Sequence, residues 1–474
     1  MKTITVGLSF LAVLLVLGSS LVTAEEKPTN PNILFLLTDQ WRADALGYAG
    51  DPNVRTPNLD RLASKSVNFT HAVSGCPVCC PYRASLLTGQ RVLTHGVFMN
   101  DVQLSAEAVT IAEVLVDKGY DTGYVGKWHL DGRGRSSFIP RQRRQGFQYW
   151  KVLECTHNYN NSYYWGDEPV KRKWDGYDVI AQTRDAQKYL RDRVGKAKPF
   201  LFVLSWGTPH APYNTAPQRY RDLYDPQKLE LRPNVPKVMH GRVRRDLAGY
   251  YAHCTAIDEM VAQLLDTLEE TGLAENTIVV FTSDHGDMLG SQGAYKKQRP
   301  FDESIRVPLL FHAPTLLGKG GRKLDARINT EDLMPTLLGL CGVEPPKTVE
   351  GLDYSDYMRG GECPGDGVAV VTCPQPFGQW TRRQGGRECR GLRSDRYTYV
   401  RHLDGPWMLF DNEKDPYQMT NLCNLPQYAE VQTRLNALLM DKLKQQGDKF
   451  LPGPVYLKRW GYKVDASGTV PYTN

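Results

Sequence analysis

The chain has 474 residues, 41% of them apolar and 23% charged, with a net charge of +6. These values fit a globular protein with a substantial core and exclude a minimal module. Lys and Arg are scattered rather than run together, which argues against a nucleic-acid binder and leaves only a local positive pocket to look for.

At the N-terminus, Met1-Lys2 precedes an apolar stretch from Val6 to Val22, and Val22-Thr23-Ala24 offers a small-residue cleavage site before Glu25-Glu26. Residues 1–24 read as a secretory signal peptide rather than a membrane anchor. The expectation is an exported chain (periplasmic or secreted, lysosomal or extracellular in a eukaryote) with no membrane contact after cleavage. Next comes Asn32-Ile33-Leu34-Phe35-Leu36-Leu37, a continuous apolar run of the kind found in a strand buried on both faces. Thr56-Pro57 followed by Leu59, Leu62 and Ala63 predicts a capped helix with Pro in its first turn. A helix from Ile111 to Lys118 stops at Gly119, and Tyr124-Val125 begins a second buried strand. Phe200 to Leu204 reads as a third strand, Arg244 to Thr271 as a long helix, and Thr277 to Phe281 as a fourth strand. This alternation predicts an α/β fold, a large mostly parallel sheet sandwiched by helices.

Past residue 350 the texture changes. Gly360-Gly361 and Cys363-Pro364-Gly365 read as a linker, followed by short strands at Val368–Thr372, Tyr397–Arg401 and Trp407–Phe410 and a helix from about Tyr428 to Gln445. The predicted organisation is a catalytic domain over 25–360 and a smaller α+β subdomain with an antiparallel sheet over 361–474.

Polar residues follow each apolar run: Asp39 the first, Lys127 the second, His210 the third and Asp284 the fourth. Sites in open α/β sheets form at the carboxyl ends of the strands, so four segments deliver chemistry to one edge. The segment Cys79-Cys80-Pro81-Tyr82-Arg83, extended by Thr88-Gly89, adds a nucleophile. With Pro81 in the first turn and Ala84 to Leu87 continuing, Cys79 stands at a helix N-terminus, where free N–H groups and the dipole favour an anion such as sulfate. Arg83 adds a planar, permanently charged donor nearby.

Cys-x-Pro-x-Arg followed by Thr-Gly resembles the signature of the formylglycine-dependent (type I) sulfatases of the alkaline phosphatase-like superfamily, and only Cys79 satisfies its register. The resemblance runs from about Asn32 to Trp407-Met408-Leu409-Phe410-Asp411. It implies an alkaline phosphatase-like fold and conversion of Cys79 to formylglycine (3-oxoalanine) before folding, by a formylglycine-generating enzyme acting as partner during biogenesis. Of the ten cysteines, nine then remain, so at least one is unpaired in any disulfide scheme.

The pairs Asp39-Gln40 and Asp284-His285 correspond to positions that bind calcium in that family, with formylglycine completing the shell. The predicted metal set is Asp39, Gln40, Cys79, Asp284 and His285, for Ca²⁺ with Mg²⁺ as the alternative, both hard cations suited to oxygen ligands. Many members have a second Asp where this chain has Gln40, and a neutral amide retunes the metal affinity. Asp287 is assigned a capping or supporting role outside the ligand set. Lys127 and His129 in Gly126-Lys127-Trp128-His129 share a face of an extended segment. His210 lies in a proline-stiffened loop, and Lys297 precedes Gln298-Arg299-Pro300, with Lys296 one residue away. The expected catalytic set is Cys79, Arg83, Lys127, His129, His210 and Lys297. In it, Arg83 and the metal lower the cost of ionising the nucleophile and two lysines take the sulfuryl oxygens. His210 protonates the departing alcohol and His129 acts as base.

The region from Arg133 to Trp165 interleaves five arginines with aromatics and amides, which suits a sulfated carbohydrate or, equally, an ordinary packing cluster. The predicted function is a sulfuric ester hydrolase acting on a sulfated saccharide. A broad-specificity arylsulfatase, or a phosphodiesterase or phosphonate monoester hydrolase of the same superfamily, is the alternative, separable by assaying sulfate and phosphate esters side by side. A non-catalytic sugar-binding scaffold would have lost site residues that survive here.

Overall fold

The protein is described by a computed structural model covering residues 1–3 and 30–472, and the apolar leader read from Val6 to Val22 lies outside the described residues. The strands are β1 (Asn32–Asp39), β2 (Val67–Val73), β3 (Asp121–Lys127), β4 (Tyr149–Leu153), β5 (Tyr163–Tyr164), β6 (Arg172–Lys173), β7 (Phe200–Pro209), β8 (Thr277–Ser283), β9 (Leu309–His312) and β10 (Arg322–Asn329), followed by β11 (Ala369–Cys373), β12 (Cys389–Arg393), β13 (Tyr397–His402) and β14 (Gly405–Asp411). Eight of them form one mixed sheet in the order β10-β2-β9-β8-β1-β7-β3-β4. Within it β8, β1, β7, β3 and β4 run parallel, and β9 is antiparallel to both its neighbours.

β1 is buried at all eight positions, which explains its unbroken apolar run. Successive side chains leave opposite faces. Ile33, Phe35 and Leu37 enter one core with Leu86, Leu87, Ile111 and Leu337, while Leu34 and Leu36 enter the other with Leu190, Ile257 and Leu264. The helices Cys79–Thr88, Ile111–Asp117 and Leu333–Leu340 therefore cover one face, and Asp178–Arg191 and His240–Glu270 the other.

The Pro57–Ala63 helix carries Pro at its start as predicted, but Thr56 does not cap it. The Thr56 hydroxyl accepts the Gly47 N–H and donates to Asp60 Oδ1. Asp258, from the long helix, takes the N–H groups of Asn58 and Leu59 at 3.2 and 2.7 Å instead. A cap supplied across 200 residues leaves no local signal in the sequence.

β11 to β14 form an antiparallel sheet in chain order, covered by the Ala429–Gln445 helix through Leu435, Leu439 and Leu443. β12 is absent from the sequence reading because Cys-Arg-Gly-Leu-Arg looks polar. Its arginines are buried by ion pairing, Arg390 with Asp448 and Arg393 bidentately with Asp302 at 2.9 and 3.0 Å. This sheet leans on the segment leading to Cys79, where the Thr372 N–H donates to the Gly75 carbonyl at 2.7 Å. With the Gly453–Trp460 helix the chain returns to the larger unit, placing Tyr456 and Leu457 in its core. All ten cysteines are free thiols, including Cys373 and Cys389, which face each other across β11 and β12. Among the described residues no helix is long and apolar enough to cross a membrane.

Candidate active site

Because β8, β1, β7 and β3 are parallel neighbours, their carboxyl ends lie side by side and present Asp284, Asp39, His210 and Lys127 at one edge of the sheet. The Cys79–Thr88 helix starts at the same edge with Cys79 as its first residue, and every one of its ten residues is buried. No side chain of Val78 caps it, so the positive end of the helix faces the site. The Thr-Gly end of the motif is structural: Thr88 donates back to the Ala84 carbonyl, and Gly89 closes the helix at φ +62° against Val349.

The Cys79 thiol is 1% exposed. Lys297 Nζ lies 2.9 Å from its sulfur, His285 Nε2 3.3 Å, Lys127 Nζ 3.7 Å and Asp39 Oδ1 3.8 Å. Burial and Asp39 push this thiol up, but Lys127, Lys297 and His285 outweigh them and hold it well below the ordinary range. An anion at this position is therefore favoured.

Arg83 does not reach the sulfur with a hydrogen bond. Its Nη2 bridges Asp39 Oδ2 and Asp284 Oδ2 at 3.2 and 3.0 Å, and its Nη1 donates to the Lys127 carbonyl and Ser205 Oγ. The guanidinium is a brace for two buried carboxylates rather than a donor to the nucleophile, which corrects the role read from the motif. A planar fork with several donors is what the position requires.

Donor atoms of Asp39, Cys79, Asp284 and His285 all lie within 4.8 Å of one another, a grouping that could hold a metal ion. Gln40 completes it in an informative way. Its backbone N–H donates to Asp284 Oδ1 and its Nε2 donates to Asp287 Oδ2 at 2.7 Å, which leaves Oε1 buried with no partner. An orphaned buried acceptor on the residue next to Asp39 fits a cation. His285 gives its Nδ1–H to the Gly286 carbonyl, so its Nε2 lone pair faces the cluster. Burial pushes Asp39 up, yet Lys127, His210, Lys297 and Arg83 bring it well below the usual carboxylate range. Burial and Asp39 raise Asp284 to about 6. Two carboxylates this close resist ionising together, and a divalent cation offsets that cost. Asp287 stays outside the ligand set and acts through Gln40.

Lys127 Nζ pairs with Asp39 Oδ2 at 2.6 Å, whereas Lys297 has no carboxylate partner among the described residues. His210 gives its Nδ1–H to the Ala211 carbonyl, and its ring stacks on His157 at 4.7 Å. Burial, with Lys297 and Lys127, keeps its pKa well below that of an ordinary histidine. His129 Nε2 meets Asp101 Oδ1 at 3.3 Å while its Nδ1 is buried without a partner. Burial opposes its charge, but Cys80, Cys155 and Asp101 outweigh burial and raise its pKa well above the usual value. Asp101 is a residue that sequence reasoning missed. It also holds Arg135 bidentately at 2.9 Å through both oxygens.

Five residues of this site hold left-handed backbone: Gln40 (φ +71°), Asp101 (+63°), His129 (+60°), Lys296 (+64°) and Gln298 (+75°). For residues with a Cβ this costs roughly 1–2 kcal/mol each. Strain gathered at one site marks side chains aimed by the surrounding structure rather than by local preference.

The Arg133–Trp165 region is mostly framework. Arg143 pairs with Asp131, and Arg144 is buried on the carbonyls of Ile139 and Gly166. Trp150 packs on Trp128 at 5.2 Å, Tyr149 on Tyr189 at 5.1 Å, and the Tyr159 hydroxyl donates to the Gly207 carbonyl. From this region only Arg135, Cys155 and His157 line the cleft of about 340 Å³ that opens onto Cys79.

The sulfatase family model matches residues 31–343, and a model described as N-sulphoglucosamine sulphohydrolase, C-terminal, matches residues 290–446. The chain is 47% identical to a Formosa agariphila protein named ulvan-active sulfatase, over 93% of this chain and 86% of that one. It is 28% identical, with a TM-score of 0.81, to a solved structure from work on glycosaminoglycan metabolism by Bacteroides thetaiotaomicron, covering 94% of this chain and 100% of that one. The phosphonate monoester hydrolase of Agrobacterium radiobacter shares the fold at 23% identity, with a TM-score of 0.71 over 88% of this chain and 96% of that one.

Proposed function

The chain belongs to the sulfatase family of sulfuric ester hydrolases, and on that premise we propose that it is exported and removes sulfate from a sulfated saccharide, with residue 79 as nucleophile. In this reading Cys79 becomes formylglycine, and Asp39, Gln40, Asp284 and His285 hold a calcium ion beside it, with magnesium as the alternative. The observation that carries it is the surrounding of Cys79: a thiol at a helix N-terminus, with two lysines and an imidazole within 3.7 Å, next to a buried carboxylate pair and an orphaned amide oxygen. The saccharide class is supported by relatives named for ulvan and glycosaminoglycans.

The aldehyde hydrate and the cation together supply an acidified hydroxyl for attack at sulfur and a second hydroxyl through which sulfate is released. The chain's own residues do the rest. Lys127 and Lys297 bind the sulfuryl oxygens and offset charge that grows on them. The bound anion in turn offsets the two ammonium charges that depress His210, so its pKa rises with substrate in place, the direction a proton donor to the leaving oxygen needs. Asp101 accepts the Nε2–H of His129 and helps to hold the ring protonated, so His129 serves as base only after its Nδ1 proton has been given up. Arg83 keeps both carboxylates in place. Burial of Cys79 supports conversion before folding, since a modifying enzyme has no path to a thiol this enclosed.

The test is sulfate release from a panel of defined sulfated saccharides, aryl sulfates and phosphate esters, with peptide mass spectrometry at residue 79. Residue 79 is expected to be lighter than cysteine in active protein from a host with the modifying enzyme. Cys79→Ser is expected to lose turnover; wild-type activity in that variant contradicts the scheme.

A further inference from the structure

The cleft carries more positive charge than one sulfate ester can answer. Lys127 is paired with Asp39 and Arg135 with Asp101, which among the described residues is the only carboxylate lining the cleft. Lys297 faces the nucleophile. Lys296, beside it, also lines the cleft and makes no ion pair or side-chain hydrogen bond among the described residues. A sulfate monoester carries a single negative charge, so an ammonium group is left without a counterpart.

Lys296 is not a loose surface lysine. Its side chain is half-buried, and its backbone is fixed on both sides: its N–H donates to Asp287 Oδ1 at 2.8 Å, and its carbonyl accepts the Met288 N–H at 2.7 Å. Asp287 is the same carboxylate that orients Gln40, so Lys296 is held in register with the metal-binding residues. Two residues on, Gln298 is 4% exposed and lines the same cleft, and its amide makes no hydrogen bond to the protein; its Oε1 is buried without a partner. Left-handed backbone at both 296 and 298 brackets Lys297. Across the cleft Arg135 spends Nε and Nη2 on Asp101 and packs its face on Tyr472 at 3.5 Å, which leaves Nη1 uncommitted. Burial and the neighbouring Lys297 push the Lys296 pKa down, as expected for a cation lacking its anion.

We propose that Lys296, with Gln298 and Nη1 of Arg135, forms a subsite for a second oxyanion on the substrate, a carboxylate or a further sulfate, on the sulfated sugar or its neighbour. This rests on the sulfatase reading and narrows its substrate class to polyanionic saccharides. An ammonium group is a point charge without the planar preference of a guanidinium, so it accepts either oxyanion. Gln298 offers an amide to a sugar hydroxyl or to the same anion.

The experiment uses the full-length protein with conversion at residue 79 confirmed, and four probes built on one O-sulfated sugar. These are its methyl glycoside, the disaccharide joining it to a uronic acid, that disaccharide with the carboxyl reduced to an alcohol, and the disulfated methyl glycoside. The wild type is expected to prefer a doubly anionic probe over its matched singly anionic one by about tenfold or more in kcat/KM, the scale of one charge-assisted contact. The uronate and disulfated arms decide which oxyanion is taken. Lys296→Gln is expected to reduce that preference to within about threefold, chiefly through KM, and Lys296→Arg to restore most of it. A wild type indifferent to the second anion, or a Lys296→Gln variant that loses both probes equally, overturns the subsite while leaving the sulfatase reading intact. Absence of sulfate release from every probe overturns both.

Discussion

Asp287→Asn tests the metal site without touching a ligand. Asp287 Oδ1 accepts the N–H groups of Leu289 and Lys296 at 3.1 and 2.8 Å, while Oδ2 accepts Gln40 Nε2 at 2.7 Å and the Tyr213 hydroxyl. Asparagine keeps one oxygen, which continues to serve the two backbone donors. The other atom becomes an NH₂ facing the NH₂ of Gln40, and two donors cannot bond. The Tyr213 hydroxyl can rotate to accept. Gln40 resolves the clash by turning its amide over, so that Oε1 faces residue 287 and Nε2 takes the buried position that Oε1 now holds. In the absence of metal that arrangement satisfies residue 287 as well as before. With metal it replaces an oxygen ligand by a donor.

Loss of such outer support weakens metal affinity by about 10- to 100-fold, or about 1.4–2.7 kcal/mol. At a metal concentration near 100 times the wild-type Kd, bound metal stabilises the fold by about 2.7 kcal/mol; the variant retains about 1.4 kcal/mol at the weak end of the effect and about 0.4 at the strong end. The assay strips the protein with chelator, then titrates Ca²⁺ or Mg²⁺ while following Tm and sulfate release. The metal-free Tm is expected to stay near wild type while both midpoints move to higher metal. An unchanged midpoint, or a metal-free Tm that collapses, refutes the amide-flip argument.

Asp101→Asn removes the charge that orients His129 and helps to keep it protonated, and is expected to lower kcat on a simple aryl sulfate by about 100-fold, with a smaller change in KM; a raised KM with kcat unchanged would show a role in binding alone. Asp178 bears on stability: burial raises its pKa to about 8, and its Oδ1 is buried without a partner. Below the unfolded value of about 3.9 both states hold the proton; between that and the folded value only the folded state does, so stability falls with rising pH at up to about 1.4 kcal/mol per unit and levels off above. Asp178→Asn abolishes that slope, so its Tm advantage over wild type is expected to grow from pH 5 to pH 8; a constant difference would show that Asp178 is ionised throughout.

Much of this was readable before any coordinates. Strands buried on both faces must be apolar throughout, so β1, β7 and β8 stand out as runs, and the polar residues ending them fall at one edge once the strands are parallel. The spacing around Cys79 likewise singles out Arg83. What the residues touch was not readable. Arg83 braces carboxylates, Asp258 caps a helix far from it in sequence, and β12 hides two arginines behind ion pairs. Asp101 and Lys296 matter because of left-handed backbone, which the surrounding packing imposes and no residue type announces. The Arg133–Trp165 region read equally well as a sugar platform or as a packing cluster, and most of its rings face protein rather than the cleft.

A neutral amide at Gln40, beside Asp39, has a physical reason in the structure. Asp39 and Asp284 are already matched by Arg83 and Lys127. A carboxylate in place of this amide would face Asp287 across the distance now bridged by a 2.7 Å hydrogen bond, turning an attraction into like-charge repulsion in a buried site. The neutral amide avoids this. One end of its amide binds Asp287, and the other end is thereby fixed as a buried oxygen without a partner. Asp287 in turn fixes Lys296 through its other oxygen. Gln40, the strained turn at 296 and the carboxylate between them are thus one unit, through which the Gln40 amide and Lys296 are set together.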